Sequence, residues 1–408
     1  MIGSLNSVRT LLLAIFVLMA GSGFLSTLIA VRLEQDGAGS LVIGLAATAY
    51  FGGLALGAMR VTPLIARIGH IRAFAAFVSI YSATSLTYAI VDVPAVWTGL
   101  RFIDGFAMSG VFVCLESWLN RLAKPANRST ILAAYMIALY AGQAVGQFLL
   151  NLGDNAPALP FMLSSILLSL AVLPVVLTQI EQPILEKVEP FSLGRLYTAS
   201  PLGIIGTLVT GIMLGAFYGL GAVFVQRIGL PLSQIALFTS CVISGGVILQ
   251  YPLGRLSDRF DRRRIIIICM AVSAALSLVL SVLAVPAAIF VCGALFGGFV
   301  FALYPLCVAH SNDHLNESER VGASSGLVLV YSAGAVAGPQ IGSAAMSIFG
   351  PSGLFASIAV VALAGAIFGI WRMATSKPVP SAEQQTFRSF PRTTPVPSPL
   401  DRKLGEGL

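Results

Sequence analysis

Charged side chains are scarce in this chain. They make up 10% of its 408 residues, against 57% hydrophobic, and the mean hydropathy is +0.90. That is too little charge to cover a soluble domain of this length, whereas long apolar runs are what transmembrane helices require. Cysteine is also rare. The five thiols, Cys114, Cys241, Cys269, Cys292 and Cys307, form no CxxC pair and sit inside apolar stretches. They read as small buried hydrophobes, not as a disulfide framework or a metal site. Only three histidines are present. His310, Asp313 and His314 have the residue types of a metal site but nothing else in support, and no metal is expected. The chain has no G-x-x-x-x-G-K-S/T string, which argues against direct ATP drive. It also lacks a convincing nucleophile–base set, so no catalytic residue and no cofactor is assigned and the chain is not read as an enzyme. The first apolar run, residues 11–31, is too long for the core of a cleavable signal peptide.

What is present is a succession of apolar stretches of about 20 residues, the length that crosses a bilayer. Twelve helical spans are expected, near 10–31, 41–65, 73–91, 95–121, 129–151, 158–178, 200–226, 232–253, 264–284, 287–310, 321–348 and 352–373. Charge position then orients them. With the N-terminus in the cytoplasm, 21 of the 24 lysines and arginines fall on the cytoplasmic side. Arg32 and Arg227 lie outside, and Arg101 lies within the membrane. This is the positive-inside pattern, so both termini are expected in the cytoplasm. It also accounts for the net charge of +7 with no nucleic acid as partner. The expected organisation is an N-terminal six-helix bundle over 1–178, a cytoplasmic linker over 179–199, a C-terminal six-helix bundle over 200–374, and a disordered cytoplasmic tail over 375–408. The tail is rich in Pro, Ser and Thr.

The two halves repeat at an offset of about 192 residues. LIARIGHIR (64–72) matches LSDRFDRR (256–263), placing Arg67 over Arg259 and Ala66 over Asp258. Gly105 falls near Gly298, Cys114 near Cys307, Gly142 on Gly334, Gly146 on Gly338, and Tyr140 near Tyr331. A shared register over four regions points to two parallel six-helix repeats, one of the patterns of secondary transporters.

GRLSDRFDRR (254–263) reproduces the signature G-x-L-A/S-D-R-x-G/D-R-R/K, and RFIDG (101–105) the pattern R-x-x-x-G. GAVAGPQIG (334–342) has the pattern G-x-x-x-G-P-x-x-G. On these strings the chain resembles the major facilitator superfamily. ESWLN (116–120), LYPLCVAHSND (303–313) and GGLALG (52–57) look most like its bacterial YcaD-type branch. The glycine–proline motif lies in span 11, whereas the superfamily's antiporters carry it in span 5, so antiport does not carry over. Ala66 also stands where the superfamily usually has aspartate. The resemblance implies an all-α integral membrane protein of twelve transmembrane helices in two pseudo-symmetric six-helix bundles. A central cavity would be walled mainly by spans 1, 4, 7 and 10. It implies alternating access by rocking of the two halves, and a bacterial inner membrane location.

Arg101 and Asp104 dominate the site candidates. A charge at membrane depth costs about 2.5–3.5 kcal/mol on insertion scales, and i, i+3 spacing puts the pair on one helix face. They read as a substrate or proton pathway, with a structural ion pair as the alternative. Tyr50, Gln143, Gln147, Tyr218, Tyr304, Tyr331 and Gln340 are mid-span polar residues that either line that pathway or bond between helices. A cytoplasmic gate is assigned to Arg67, Glu116, Gly254, Asp258, Arg259, Arg262, Arg263, His310 and Asp313, with Glu116 pairing to an arginine such as Arg67 or Arg121. Gly142, Gly146, Gly334, Gly338, Pro339 and Gly342 are assigned to helix packing. In the superfamily's usual arrangement, the first-half loop aspartate meets the start of span 11. By the repeat, Asp258 is expected to meet the start of span 5, near Arg128, Ser129 and Thr130, and span 11 is expected to begin without a carboxylate from the 66–72 loop. The expected function is proton-coupled secondary transport of a small organic solute, acting as a monomer among membrane lipid. The alternative is a sensor or scaffold with a transporter fold that moves nothing.

Overall fold

The structure is a computed structural model that describes residues 2–123, 128–153, 156–177, 192–283, 285–375, 384 and 387. Among the described residues there is no strand, and twelve helices are long and apolar enough to cross a membrane. Span 1 is made of Ile2–Ser22 and Leu25–Gln35. Spans 2 to 6 are Ser40–Ile68, His70–Ile90, Pro94–Leu122, Arg128–Gly146 with a 3-10 continuation Gln147–Gly153, and Leu159–Val176. Spans 7 to 12 are Pro201–Arg227, Leu232–Arg259, Arg262–Val282, Pro286–Asn312, Glu317–Phe349 and Ser352–Thr375. Spans 4, 7 and 10 open on proline, where the missing N–H would have had no helical partner.

Successive spans reverse direction, so the start of span 1 and the end of span 12 share one end of the bundle, the terminal end. The structure differs from the sequence expectation chiefly there. Span 8 continues to Arg259 and span 9 starts at Arg262, so most of the signature string is helical, and only Phe260 and Asp261 make the turn. Asp261 caps span 9, accepting from the Arg263 backbone N–H at 3.0 Å. Spans 2 and 3 are joined by Gly69 alone at φ +86°, a backbone conformation that favours glycine. Span 11 begins at Glu317, with Asn316 and Glu319 forming a capping box. The segment read as a linker contains a short helix, Leu193–Ala199, which is tied to span 11 by the Arg195–Glu319 ion pair. Residues 178–191 of that linker, and the tail apart from Gln384 and Phe387, lie outside the described residues.

Helix pairing recurs six spans on. Span 2 packs along span 4, span 1 along spans 5 and 6, and span 3 along spans 4 and 6. Likewise span 8 packs along span 10, span 7 along spans 11 and 12, and span 9 along spans 10 and 12. These are two pseudo-symmetric six-helix bundles. Between the bundles, span 2 meets spans 7 and 11, span 5 meets span 8, and the 25–35 part of span 1 meets span 7.

Small residues make the closest approaches, as they do where lipid supplies no hydrophobic drive between helices. A Cβ on Gly105 would lie 2.0 Å from the Tyr50 carbonyl, and one on Gly297 would lie 1.9 Å from that of Val242. The stripes match in the same way. Gly142 and Gly146 press on the Phe16 and Ala20 carbonyls of span 1, and Gly334 and Gly338 press on Leu208 and Ile212 of span 7. Gly342 packs on Leu220 and Leu354, while Pro339 faces Gly219 and Gly44.

Candidate functional site

A cavity of about 110 Å³ lies at mid-depth between the bundles. Met19, Met108, Met136, Phe51 and Phe112 supply much of its apolar wall. Ser26, Tyr50, Tyr140, Gln143, Tyr218 and Tyr331 supply polar atoms, and among the described residues no charged side chain lines it. Span 1 is interrupted at this level, at Gly23 and Phe24, where the Gly23 carbonyl accepts a hydrogen bond from Gln147 Nε2 at 3.1 Å. Gln147 thus serves a helix–helix bond. Tyr304 is buried, its ring 5.4 Å from that of Tyr331.

Arg101 lies behind the cavity wall. It is seven residues, about 10 Å, inside span 4. Its Nη2 donates to Ser26 Oγ at 2.6 Å, and its guanidinium sits 4.1 Å from the Tyr50 ring centroid, a cation–π contact. Its Nη1 is buried without a hydrogen-bond partner, with Asp104 Oδ2 3.6 Å away. A small second pocket beside the cavity touches Arg101, Ser26, Tyr50 and Tyr218. Asp104 is completely buried and lines neither space. Span 3 holds it, through the Thr84 hydroxyl and through Tyr88 OH at 2.6 Å. The charge pair therefore divides: Arg101 borders the small second pocket, and Asp104 borders neither space. The partners on span 3 were invisible to pattern reading, because a lone Thr and Tyr in an apolar span carry no motif.

The described hydrogen bonds across the bundles lie at the level of the cavity and beyond it, away from the terminal end. Arg227 binds Glu34 through two bonds of 2.7 and 2.8 Å and Ser40 Oγ at 2.8 Å. Thr48 donates to the Val336 carbonyl at 3.1 Å and accepts from Gln340 Nε2 at 3.2 Å. Ser240 donates to the Ala144 carbonyl at 2.8 Å, and Tyr218 OH reaches Gln143 Oε1 at 3.5 Å. Glu34 was not singled out from the sequence. The signal was there: an acidic residue at the end of span 1, opposite one of only two basic residues assigned outside.

At the terminal end, Arg262 joins two elements. It is 1% exposed and binds Asp258 at 3.0 Å and Asp313 at 2.5 Å. Arg263 binds Asp261 at 2.8 Å. Burial raises the pKa of Asp261, but side-chain and backbone hydrogen bonds from Arg263, with its charge, hold the carboxyl below the usual range. Glu116 is buried and accepts from Tyr135 OH of span 5 at 3.0 Å. His310 is buried against His314, whose Nδ1 lies 2.9 Å from the His310 carbonyl. Arg67 and Arg259 are exposed. Among the described residues no metal-holding group of histidine, cysteine and carboxylate is found. Asp258 also accepts from the backbone N–H of Phe387 at 2.8 Å. The side chains of Arg128 and Ser129 lie outside the described residues.

The family model of the Major Facilitator Superfamily matches residues 11–243 and 203–402. An uncharacterized MFS-type transporter, YcaD of Salmonella arizonae, is 29% identical over 359 residues, spanning 87% of this chain and 92% of its own. The YcaD of Salmonella newport is 28% identical over the same length. Among solved structures, the nucleoside transporter NupG aligns with a TM-score of 0.74 at 13% identity, over 92% of this chain and 100% of its own. A bacterial homolog of the human lysosomal transporter Spinster, inward-facing and occupied, aligns with a TM-score of 0.72 at 14% identity, over 93% and 97%. At such identities these neighbours speak for the fold and not for the solute. The paired bundles, the signature string and a family match that runs from residue 11 to 402 agree, and the chain belongs to the Major Facilitator Superfamily.

Proposed function

We propose that the chain moves a small organic solute across a bacterial inner membrane by alternating access, driven by the proton gradient. The observation that carries this reading is the mid-depth cavity between bundles whose described cross-bundle hydrogen bonds lie at the cavity level and beyond it, away from the terminal end. With the lysine and arginine bias placing the terminal end in the cytoplasm, the closed end is the outer one. On this reading the arrangement is that of an inward-facing state. Three methionines and several aromatic rings, with hydroxyls and an amide as the polar contacts, suit a largely apolar, ring-bearing solute better than a polyanion. Arg101 acts at the outer end of the path through Ser26 and Tyr50. Asp104, buried and paired with Arg101, is the proton carrier: protonation releases its pull on the guanidinium, which then shifts toward the cavity wall.

Flux of candidate solutes into proteoliposomes, with and without an imposed pH gradient, tests this. Asp104→Asn is expected to abolish gradient-driven accumulation while leaving exchange. Full gradient-driven accumulation in that variant removes Asp104 from the proton path and leaves Glu116 as the next carboxylate to test. A wild-type protein that moves none of the solutes found by growth and toxicity screens of a deletion strain would favour a sensor or scaffold.

A further inference from the structure

We propose that Phe387 is a wedge that occupies the terminal-end contact face of span 8 and holds spans 5 and 8 apart there. Two contacts place it. A Cβ built on Gly254 would lie 2.2–2.7 Å from three atoms of the Phe387 ring, so the ring rests on bare backbone that only glycine leaves open. The Phe387 N–H also donates to Asp258 Oδ1 at 2.8 Å, the oxygen that takes Arg262 Nη2 at 3.0 Å. Both contacts fall on signature residues, and Phe387 lies twelve positions beyond the end of span 12 at Thr375. At about 3.3 Å per extended residue, that is ample reach.

The face these contacts cover is identified by helical geometry. Ser240 of span 8 bonds the Ala144 carbonyl of span 5 at the outer end. Asp258 lies eighteen residues further along, five whole turns at 3.6 residues per turn, and so shares that face; Gly254 is about 40° round from it. Phe387 therefore sits where span 5 must come if the bundles close at the terminal end. A carboxylate on this face would otherwise suit the first turn of span 5, whose free N–H groups favour an anion. The tail supplies one N–H and an apolar ring in its place. The two occupants are mutually exclusive, so the bound tail favours the inward-facing state. The first half has no equivalent, because Ala66 stands at the position of Asp258.

The inference rests on the alternating-access reading, and its test needs no solute. Spin labels at Thr130→Cys and Leu256→Cys, both exposed at the terminal ends of spans 5 and 8, report the separation in full-length protein lacking the five native thiols. The wild-type tail is expected to give mainly the long distance. Phe387→Ala, or a stop after residue 380, is expected to raise the short-distance population several-fold. Phe387→Leu is expected to keep most of the long distance, and a peptide of residues 380–395 added to the truncated protein is expected to restore it. Distances that are identical with and without the tail overturn the wedge alone, provided a second distance is seen under an imposed pH gradient. A single distance under every condition overturns the alternating-access reading with it.

Discussion

Arg101 and Asp104 illustrate how one residue's value depends on its neighbour. Removing a single partner from a buried pair leaves an uncompensated charge, which costs about 3–5 kcal/mol, whereas replacing both by apolar groups of similar volume is often neutral. Arg101→Met combined with Asp104→Leu is therefore expected to melt in detergent close to wild type. Asp104→Leu alone is expected to melt far lower. Equal losses in the two variants would mean that Thr84 and Tyr88, not the arginine, dominate the carboxylate's environment. The residues that position this pair were not legible in the sequence. Ser26, Tyr50, Thr84 and Tyr88 come from three other spans, and no local spacing links them to span 4. Gln147 shows the same limit. Its mid-span polarity was readable, but whether it faces a cavity or a helix carbonyl depends on where span 1 breaks.

At the scale of elements, glycine decides which spans touch. The Gly105 position meets the Tyr50 backbone, which cannot rotate away, so Gly105→Val is expected to destabilise by about 1–3 kcal/mol as an overpacking change. Gly99→Ala, with nothing within 4 Å, is expected to be silent. Thermal stability of the purified variants distinguishes them, and a silent Gly105→Val would mean that spans 2 and 4 can part. The two ends of the elements also diverge between the halves. Arg262 ties spans 8, 9 and 10 through Asp258 and Asp313, while its repeat counterpart is His70, buried against Trp118 with ring centroids 5.9 Å apart. At the start of span 11, the carboxylate that the 66–72 loop lacks is present on the helix itself: Glu319 closes the capping box and pairs with Arg195. Glu319→Gln is expected to keep the box but weaken the tie to the Leu193–Ala199 helix, seen as faster amide exchange across residues 193–199. Unchanged exchange would assign that tie to the packing of Leu196 instead.

For the molecule as a whole, the ion pair described across the bundles is Arg227–Glu34, at the end away from the termini, which the proposed orientation makes the outer one. Its side chains are 23% and 18% exposed, so it is partly screened and worth roughly 1 kcal/mol or somewhat more. That is enough to move a two-state balance several-fold. Glu34→Gln is expected to raise labelling of a cavity cysteine at Met136→Cys from the outside and to lower it from the cytoplasm. Labelling that is unchanged from both sides would show that the contacts of spans 2 and 11 suffice for closure.

Composition and periodicity alone determined the twelve spans and their division into two repeats, because burying about 20 apolar residues in lipid is a local requirement met span by span. The family strings were legible for the same reason: the signature sits within ten consecutive residues. Tertiary structure alone decided which polar residues share the cavity, where the described bonds between the bundles fall, that Asp104 is held from span 3, and that Phe387 lies on Gly254. Each of these is a contact between residues far apart in sequence, and its free energy depends on the register of helices that hydropathy does not encode.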